Sequence, residues 1–245
     1  VDIHLSNASL HWQHHCVFSQ LNLTLPGGQW TSILGQSGVG KSSLIQLLCG
    51  IADEADVQGE IACSDGKPLT GRVAWMAQDD LLLPWLSVLD NVLLGTRLTQ
   101  QRRPKPEQIE RARYLLSQVG LSERAKVLPA QLSGGQRQRV ALARTLFQDC
   151  PLVCMDEPFS ALDAINRLRL QDLAASLLHD RTVLMITHDP LEALRLSDQI
   201  LVLGGSPAKL SSPITPPGLA PRQVSDSEVL RLQGELLEML AGEAS

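Results

Sequence analysis

Short apolar runs recur along the chain between turn-forming residues: "WTSIL" (30–34), "RVAWM" (72–76), "LVCM" (152–155), "TVLMI" (182–186) and "ILVL" (200–203). Each is continuous rather than alternating. Strands of that kind are covered on both faces, which predicts a parallel sheet with helices around it. Helical spacing separates most of the runs. After Lys41, Leu44, Leu47 and Leu48 fall at i, i+3 and i+4, and Gly50 stands where that helix would end. From about 79 to 149 the pattern changes to helix and loop. There "RRPKPE" reads as a polar connection and "EQIERARYLLSQVG" as an amphipathic helix ending at Gly120. "QRQRVALARTLF" reads as a helix with Val140, Ala143 and Phe147 on its apolar face. This stretch predicts a helical insertion within an α/β core. Gly204 and Gly205 predict a tight hairpin turn. The Pro-rich "SSPITPPGLAP" then leads into a short terminal helix over "DSEVLRLQGELLEMLA", and no internal repeat is visible.

Composition narrows the classes. A chain of 245 residues, 44% hydrophobic and 19% charged, can bury a sizeable core and is not expected to be disordered over most of its length. A net charge of -5 offers no basic excess for a phosphate backbone, and 3% aromatic residues are too few for a base-stacking platform, so nucleic acid is not expected as a partner. The five cysteines (Cys16, Cys49, Cys63, Cys150, Cys154) are odd in number and lack a zinc-type spacing. They read as reduced, mostly buried thiols in cytosol. No apolar run approaches the roughly 18 to 20 residues of a membrane span, "LLLPWL" being short and broken by Pro84. The first residues lack a basic-then-apolar signal pattern. The expectation is a protein that neither spans nor crosses a membrane unaided.

Chemistry enters at "GQSGVGKS" (35–42), a match to G-x-x-x-x-G-K-[ST] between an expected strand and an expected helix. Gly35, Gly38 and Gly40 would let the backbone wrap so that amides face phosphates at a helix N-terminus. Lys41 would supply a point charge for the β- and γ-phosphates, and Ser42 a hydroxyl for Mg²⁺. "LVCMDEP" puts Asp156 and Glu157 at the end of an apolar strand, where ligands bind in open α/β folds. Asp156 is then placed to hold Mg²⁺ and Glu157 to polarise an attacking water. A second glycine pair, Gly134 and Gly135, follows Ser133 ahead of "QRQRV". A serine N-cap would explain Ser133. It would not explain the glycines, which read instead as a second anion site at a helix start.

Together, "GQSGVGKSS", Gln78 in "MAQDD", "LSGGQRQ", "LVCMDEP", "SALD" and "THD" stand in the order and approximate spacing of the ATP-binding subunits of ABC transporters, which the chain resembles from about residue 3 to 203. The resemblance implies a P-loop NTPase (RecA-like) α/β core with a parallel sheet, an N-terminal antiparallel β region and the inserted α-helical subdomain. It places the ATP-binding domain at 1–205, with the helical subdomain at about 79–149, and a Pro-rich connection and helix at 206–245.

In that family the LSGGQ-like stretch closes over ATP held by the partner's P-loop. Gly35, Gln36, Ser37, Gly38, Val39, Gly40, Lys41, Ser42 and Ser43 would therefore share one nucleotide with Ser133, Gly134, Gly135 and Gln136 of another copy. Gln78 is similar to the Q-loop glutamine, near Mg²⁺ and the γ-phosphate site. Asp163 is similar to the D-loop aspartate at the dimer seam, and His188 to the histidine that contacts the γ-phosphate. Trp12 lies about where the family stacks an aromatic on adenine, with Phe18 nearby as a competitor. "HWQHH" (11–15) has no acidic or cysteine partners at metal spacing and reads as solvated histidines.

Within the family, "QDDLLLPWLSVLDNVLLG" and "THDPLEALRLSDQILVL" resemble the importer group serving nitrate, sulfonates, taurine and thiamine or pyrimidine precursors. Leu82 to Leu86 would then help form the groove for a permease loop helix. The expected protein is a cytoplasmic Mg-ATPase, peripheral on the inner face of the cell membrane. Its partners would be a second copy, integral membrane permease subunits and, indirectly, an extracytoplasmic solute-binding protein. With 206–245 as the tail, regulation by the β-domain that follows the cassette in sugar importers is not expected. Other readings are a lipoprotein-release or cell-division ABC subunit, a non-transport ABC ATPase, or a small-molecule kinase using the P-loop alone. Lys41 is expected to be exposed in an empty site.

Overall fold

The computed structural model describes residues 1–100, 103–160 and 162–242. Arg102, in the polar connection, and Ala161, in "SALD", lie outside them. In chain order the elements are β1 (Ile3–Trp12), β2 (His15–Leu25), β3 (Trp30–Leu34), α1 (Lys41–Cys49), β4 (Ala55–Cys63) and β5 (Val73–Met76). Then come α2 (Val88–Val92), α3 (Leu94–Gln100), α4 (Pro106–Gln118), α5 (Gly134–Phe147), β6 (Leu152–Asp156) and α6 (Ala164–Leu177). The chain closes with β7 (Thr182–Ile186), α7 (Pro190–Leu196), β8 (Gln199–Gly204), β9 (Lys209–Leu210) and α8 (Ser227–Gly242). The described residues form two compact units. One comprises 1–73, 151–157 and the chain from 179 onward; the other comprises 74–150 and 158–178.

In the first unit β6, β7, β3 and β8 lie side by side in parallel, with β9 antiparallel at the edge. Every residue of β3, β6 and β7 is buried, as continuous apolar strands require. The polar residues among them are partnered: Ser32 and Ser197 hydroxyls lie 2.5 Å apart, and Gln199 Nε2 donates to Thr31 Oγ1 at 2.8 Å. A separate antiparallel sheet, β2-β1-β4, supplies the N-terminal β region. The hairpin after β8 is wider than the glycine pair predicts. Gly204 pairs with Lys209 across four intervening residues. The extra length lets the Ala208 amide reach back to the Val17 carbonyl at 2.8 Å, which a two-residue turn could not do.

The terminal helix forms as its apolar spacing predicts, and buries Val229, Leu232 and Leu236 against Leu34, Leu194 and Ile200. None of the five cysteines forms a disulfide, and only Cys154 is buried; Cys16, Cys49, Cys63 and Cys150 are partly exposed, so the expectation of mostly buried thiols fails. They sit at element ends and boundaries, where one side meets solvent.

The second unit is helical. Val88 and Val92 of α2, Ala112, Leu115 and Leu116 of α4, and Val140, Ala143 and Phe147 of α5 share one core. α4 stops at Gln118, and Gly120 follows at φ 70°. Leu82 belongs to this core. In the same loop Leu81 and Trp85 are exposed, the latter at 71%.

Candidate functional site

In the first unit the glycine-rich turn runs from β3 into α1. Gly40 caps the helix at φ 108°, a conformation that L side chains rarely adopt, and a Cβ there would run into Val17 Cγ1. Val17 follows the β1–β2 hairpin, so the same close approach seats that hairpin beside the turn. Trp12 ends β1, paired with His15 and half-buried, whereas Phe18 is wholly buried in the core. Of the two aromatics, only Trp12 has surface to offer a ligand.

Lys41 overturns its expected exposure. It is 6% exposed, and its Nζ donates to the carbonyls of Gly35 and Gln36 at 2.8 Å each. An ammonium inside a carbonyl-lined loop replaces lost water with the loop's own acceptors. Burial pushes Lys41 below the usual ammonium range, opposed by the carboxylates of Glu157 and Asp156.

Asp156 ends β6 and is itself buried. Burial pushes its carboxyl up, the Ser42 hydroxyl pulls it back by hydrogen bonding, and Glu157 and Lys41 act in opposite directions. Glu157 sits in the left-handed region at φ 46°, rare for a side chain of its size, with its amide tied to the Ile186 carbonyl at 2.8 Å. That backbone places its carboxylate 3.1 Å from His188 Nδ1; the glutamate side chain is 18% exposed and the histidine 62%.

The loop carrying His188 is held by its neighbours in "THDPLE". Thr187 Oγ1 donates to Glu192 at 2.8 Å and accepts from the Asp189 amide, and Asp189 caps α7 through the Leu191 amide. The Asp-Pro step that opens α7 was a legible capping signal.

The donor set fits Mg²⁺. Ser42 and Asp156 offer hard oxygens, and that ion commonly takes one or two protein ligands alongside water and phosphate oxygens. Among the described residues no cluster of three or more His, Cys, Asp or Glu is placed to hold a metal ion.

In the second unit Ser133 caps α5. Its hydroxyl accepts from the Gln136 amide at 3.3 Å, and Gln136 Oε1 accepts from the Ser133 amide at 3.0 Å. Gly134 and Gly135 are the first turn of α5 rather than a turn ahead of it. Gly135 has a packing reason to be glycine, since a Cβ there would lie 2.8 Å from Leu162 Cδ2. Helix geometry leaves the Gly134 and Gly135 amides without intrahelical acceptors, so the two glycines and the capping serine are compatible. Gln78 is exposed. Asp163 caps α6, and the Asn166 amide holds its carboxyl low. The structure thus gathers Gly35–Ser43, Asp156, Glu157 and His188 in the first unit, with Trp12 on the adjoining hairpin. It carries Gln78, Ser133–Gln136 and Asp163 on the second.

A glycine loop opening a helix, with a carboxylate pair ending a buried parallel strand beside it, defines a P-loop nucleotide-binding α/β protein. The chain belongs to the ABC transporter family, whose model matches residues 18–160. It is 47% identical over 244 residues to an ABC transporter ATP-binding protein of Haemophilus influenzae, covering 98% of this chain and 99% of that one. It is 40% identical over 239 residues to the aliphatic sulfonates import ATP-binding protein SsuB of Escherichia coli K12, covering 96% and 89%. The dimeric ATP-binding cassette MJ0796, solved in a post-hydrolysis state with ADP and Pi, matches at TM-score 0.75 and 27% identity over 89% of this chain and 100% of that one. The protein is an ABC ATPase subunit. Among the described residues no helix is long and apolar enough to cross a membrane.

Proposed function

We propose that the chain energises an importer for an organosulfonate-type solute by hydrolysing ATP at two sites shared between two copies. The observation that carries the catalytic part is the Glu157–His188 contact beside the buried Lys41 and Asp156. Lys41 would exchange its two carbonyl acceptors for β- and γ-phosphate oxygens. Ser42 and Asp156 would hold Mg²⁺, which would supply charge neutralisation on those phosphates. Glu157 would take the proton of the attacking water on its carboxylate while His188 holds that carboxylate in place and faces the transferred group. Trp12 would stack on the adenine. Positioning and charge then supply most of the rate.

Ser133 and the Gly134 and Gly135 amides, followed by Gln136, would close each site from the other copy, a reading supported by the dimeric state of MJ0796. Mixing Lys41→Ala chains with Ser133→Arg chains tests it. With shared sites, a heterodimer isolated through two tags has one doubly broken site and one with both elements native, and should occlude about one ATP. Retention no greater than in either parental homodimer would show that both elements serve one chain's own site.

Support for the solute class comes from the sulfonate-import relatives, at 40 to 48% identity. The partners would be permease subunits at the inner face of the membrane, bound to the cytoplasmic ATPase, and an extracytoplasmic binding protein. We expect the subunit to co-purify from detergent-solubilised membranes with a permease, and the reconstituted complex to raise its ATPase rate with a sulfonate-loaded binding protein. Stimulation by nitrate or a pyrimidine precursor instead would reassign the solute. A membrane partner with a long extracytoplasmic domain would replace import by lipoprotein release or cell division.

A further inference from the structure

Within the second unit the loop after Gln78 is fastened to α5 by two arginines two turns apart on one helix face. Arg137 Nε donates to Asp80 Oδ2 at 2.8 Å. Arg144 donates through Nη2 to the Asp80 carbonyl at 2.7 Å and through Nη1 to the Leu81 carbonyl at 2.8 Å. Asp80 is itself held in a local turn, its Oδ1 accepting from the Leu82 amide at 3.1 Å. The other branch of the Arg137 fork matters most. Its Nη1 donates to the Leu132 carbonyl at 3.0 Å, and its backbone amide to the Ser133 carbonyl at 2.9 Å. One guanidinium therefore joins Asp80 to the residue immediately before Ser133.

We propose that Asp80 is a positioning residue for the Ser133 turn, acting through Arg137. The capping box orders the Ser133 side chain locally and the Leu132 amide bonds back to the Pro129 carbonyl at 3.1 Å, but the Leu132 carbonyl, and with it the direction in which the turn leaves the preceding segment, is held from farther away. Leu132 is the pivot of that direction, and Arg137 ties its carbonyl to a carboxylate anchored in another loop. A planar fork holds two separated acceptors through different nitrogens in fixed geometry; a lysine at the same position offers a single point charge that cannot bridge them in the same way. The role rests on the proposed function, since orienting Ser133 matters only if that turn closes a partner's nucleotide site. Arg144 meanwhile holds the backbone of residues 80 and 81, so the anchor survives loss of the Asp80 charge, and substitution there should spare the fold.

The test is a double-mutant cycle on ATP-driven dimerisation in a Glu157→Gln background, followed by sedimentation, with binding of a fluorescent ATP analogue to the monomer measured in parallel. Asp80→Asn and Arg137→Gln should each raise the ATP concentration for half-maximal dimer about two- to fivefold, the range for one partly exposed pair. The double variant should be no worse than either single one, and Arg137→Lys should resemble Arg137→Gln. Monomer affinity should stay unchanged, because the P-loop belongs to the other unit.

Dimerisation like the parent's, additive losses, full retention of function by lysine, or a parallel fall in monomer affinity would each overturn the inference. If the Glu157→Gln parent itself binds ATP but does not dimerise, the shared-site reading fails, and this inference fails with it. The two failures are told apart by which chain shows the defect.

Discussion

Glu157→Gln is expected to slow ATP hydrolysis about 10²- to 10⁴-fold, the range for loss of a general base, while nucleotide still binds. The left-handed backbone and the amide bond to Ile186 that place residue 157 do not depend on the carboxylate. A glutamine amide can still meet His188, and Lys41, Ser42 and Asp156 are untouched. What disappears is the group able to accept a proton. ATP should therefore accumulate in the closed state, visible as a nucleotide-bound dimer on size exclusion alongside a collapsed rate of phosphate release. Rapid turnover by this variant would move the base elsewhere, with His188 the first candidate.

Arg222→Met should cost about 3 to 5 kcal/mol of stability, because several buried carbonyls lose their donor at roughly 1 kcal/mol or more each. For a chain of this size that is roughly a 10 °C fall in melting temperature. Arg222 is buried, and its guanidinium donates to five backbone carbonyls: Pro216, Pro217 and Gly218 of the Pro-rich connection, and Leu194 and Ser197 at the end of α7. Burial pushes the guanidinium below its usual range, with Asp198 and Asp226 opposing. A methionine of similar length fills the space but leaves those carbonyls without a donor, and such orphaned acceptors are expensive. Arg222→Lys should recover only part of the loss. A melting temperature within about 2 °C of wild type, less than one kcal/mol, would show that water takes over the five acceptors.

Arg222 also marks where reading the sequence stopped short. It is one arginine in "GLAPRQVSD", with no motif around it. Its importance comes from partners up to 28 positions away that become neighbours only when the connection folds back over α7. The Asp80–Arg137 pair, separated by 57 positions, was invisible for the same reason. Lys41 failed differently. The motif identified the residue but not its pose, because a buried ammonium takes whatever acceptors lie within reach, here the loop's own carbonyls.

What the sequence determined by itself was local. Continuous apolar runs place β3, β6, β7 and β8 within a residue of their ends, because a strand buried on both faces admits no polar alternation. The glycine loop and the acidic strand end are legible because each needs its residues within a few positions of one another. Tertiary structure alone decided that Glu157 meets His188, that Phe18 is core while Trp12 is not, and that Gly135 is glycine on account of Leu162. Each of those depends on a distance between residues far apart in the chain, which short-range spacing does not encode and packing of the finished fold does.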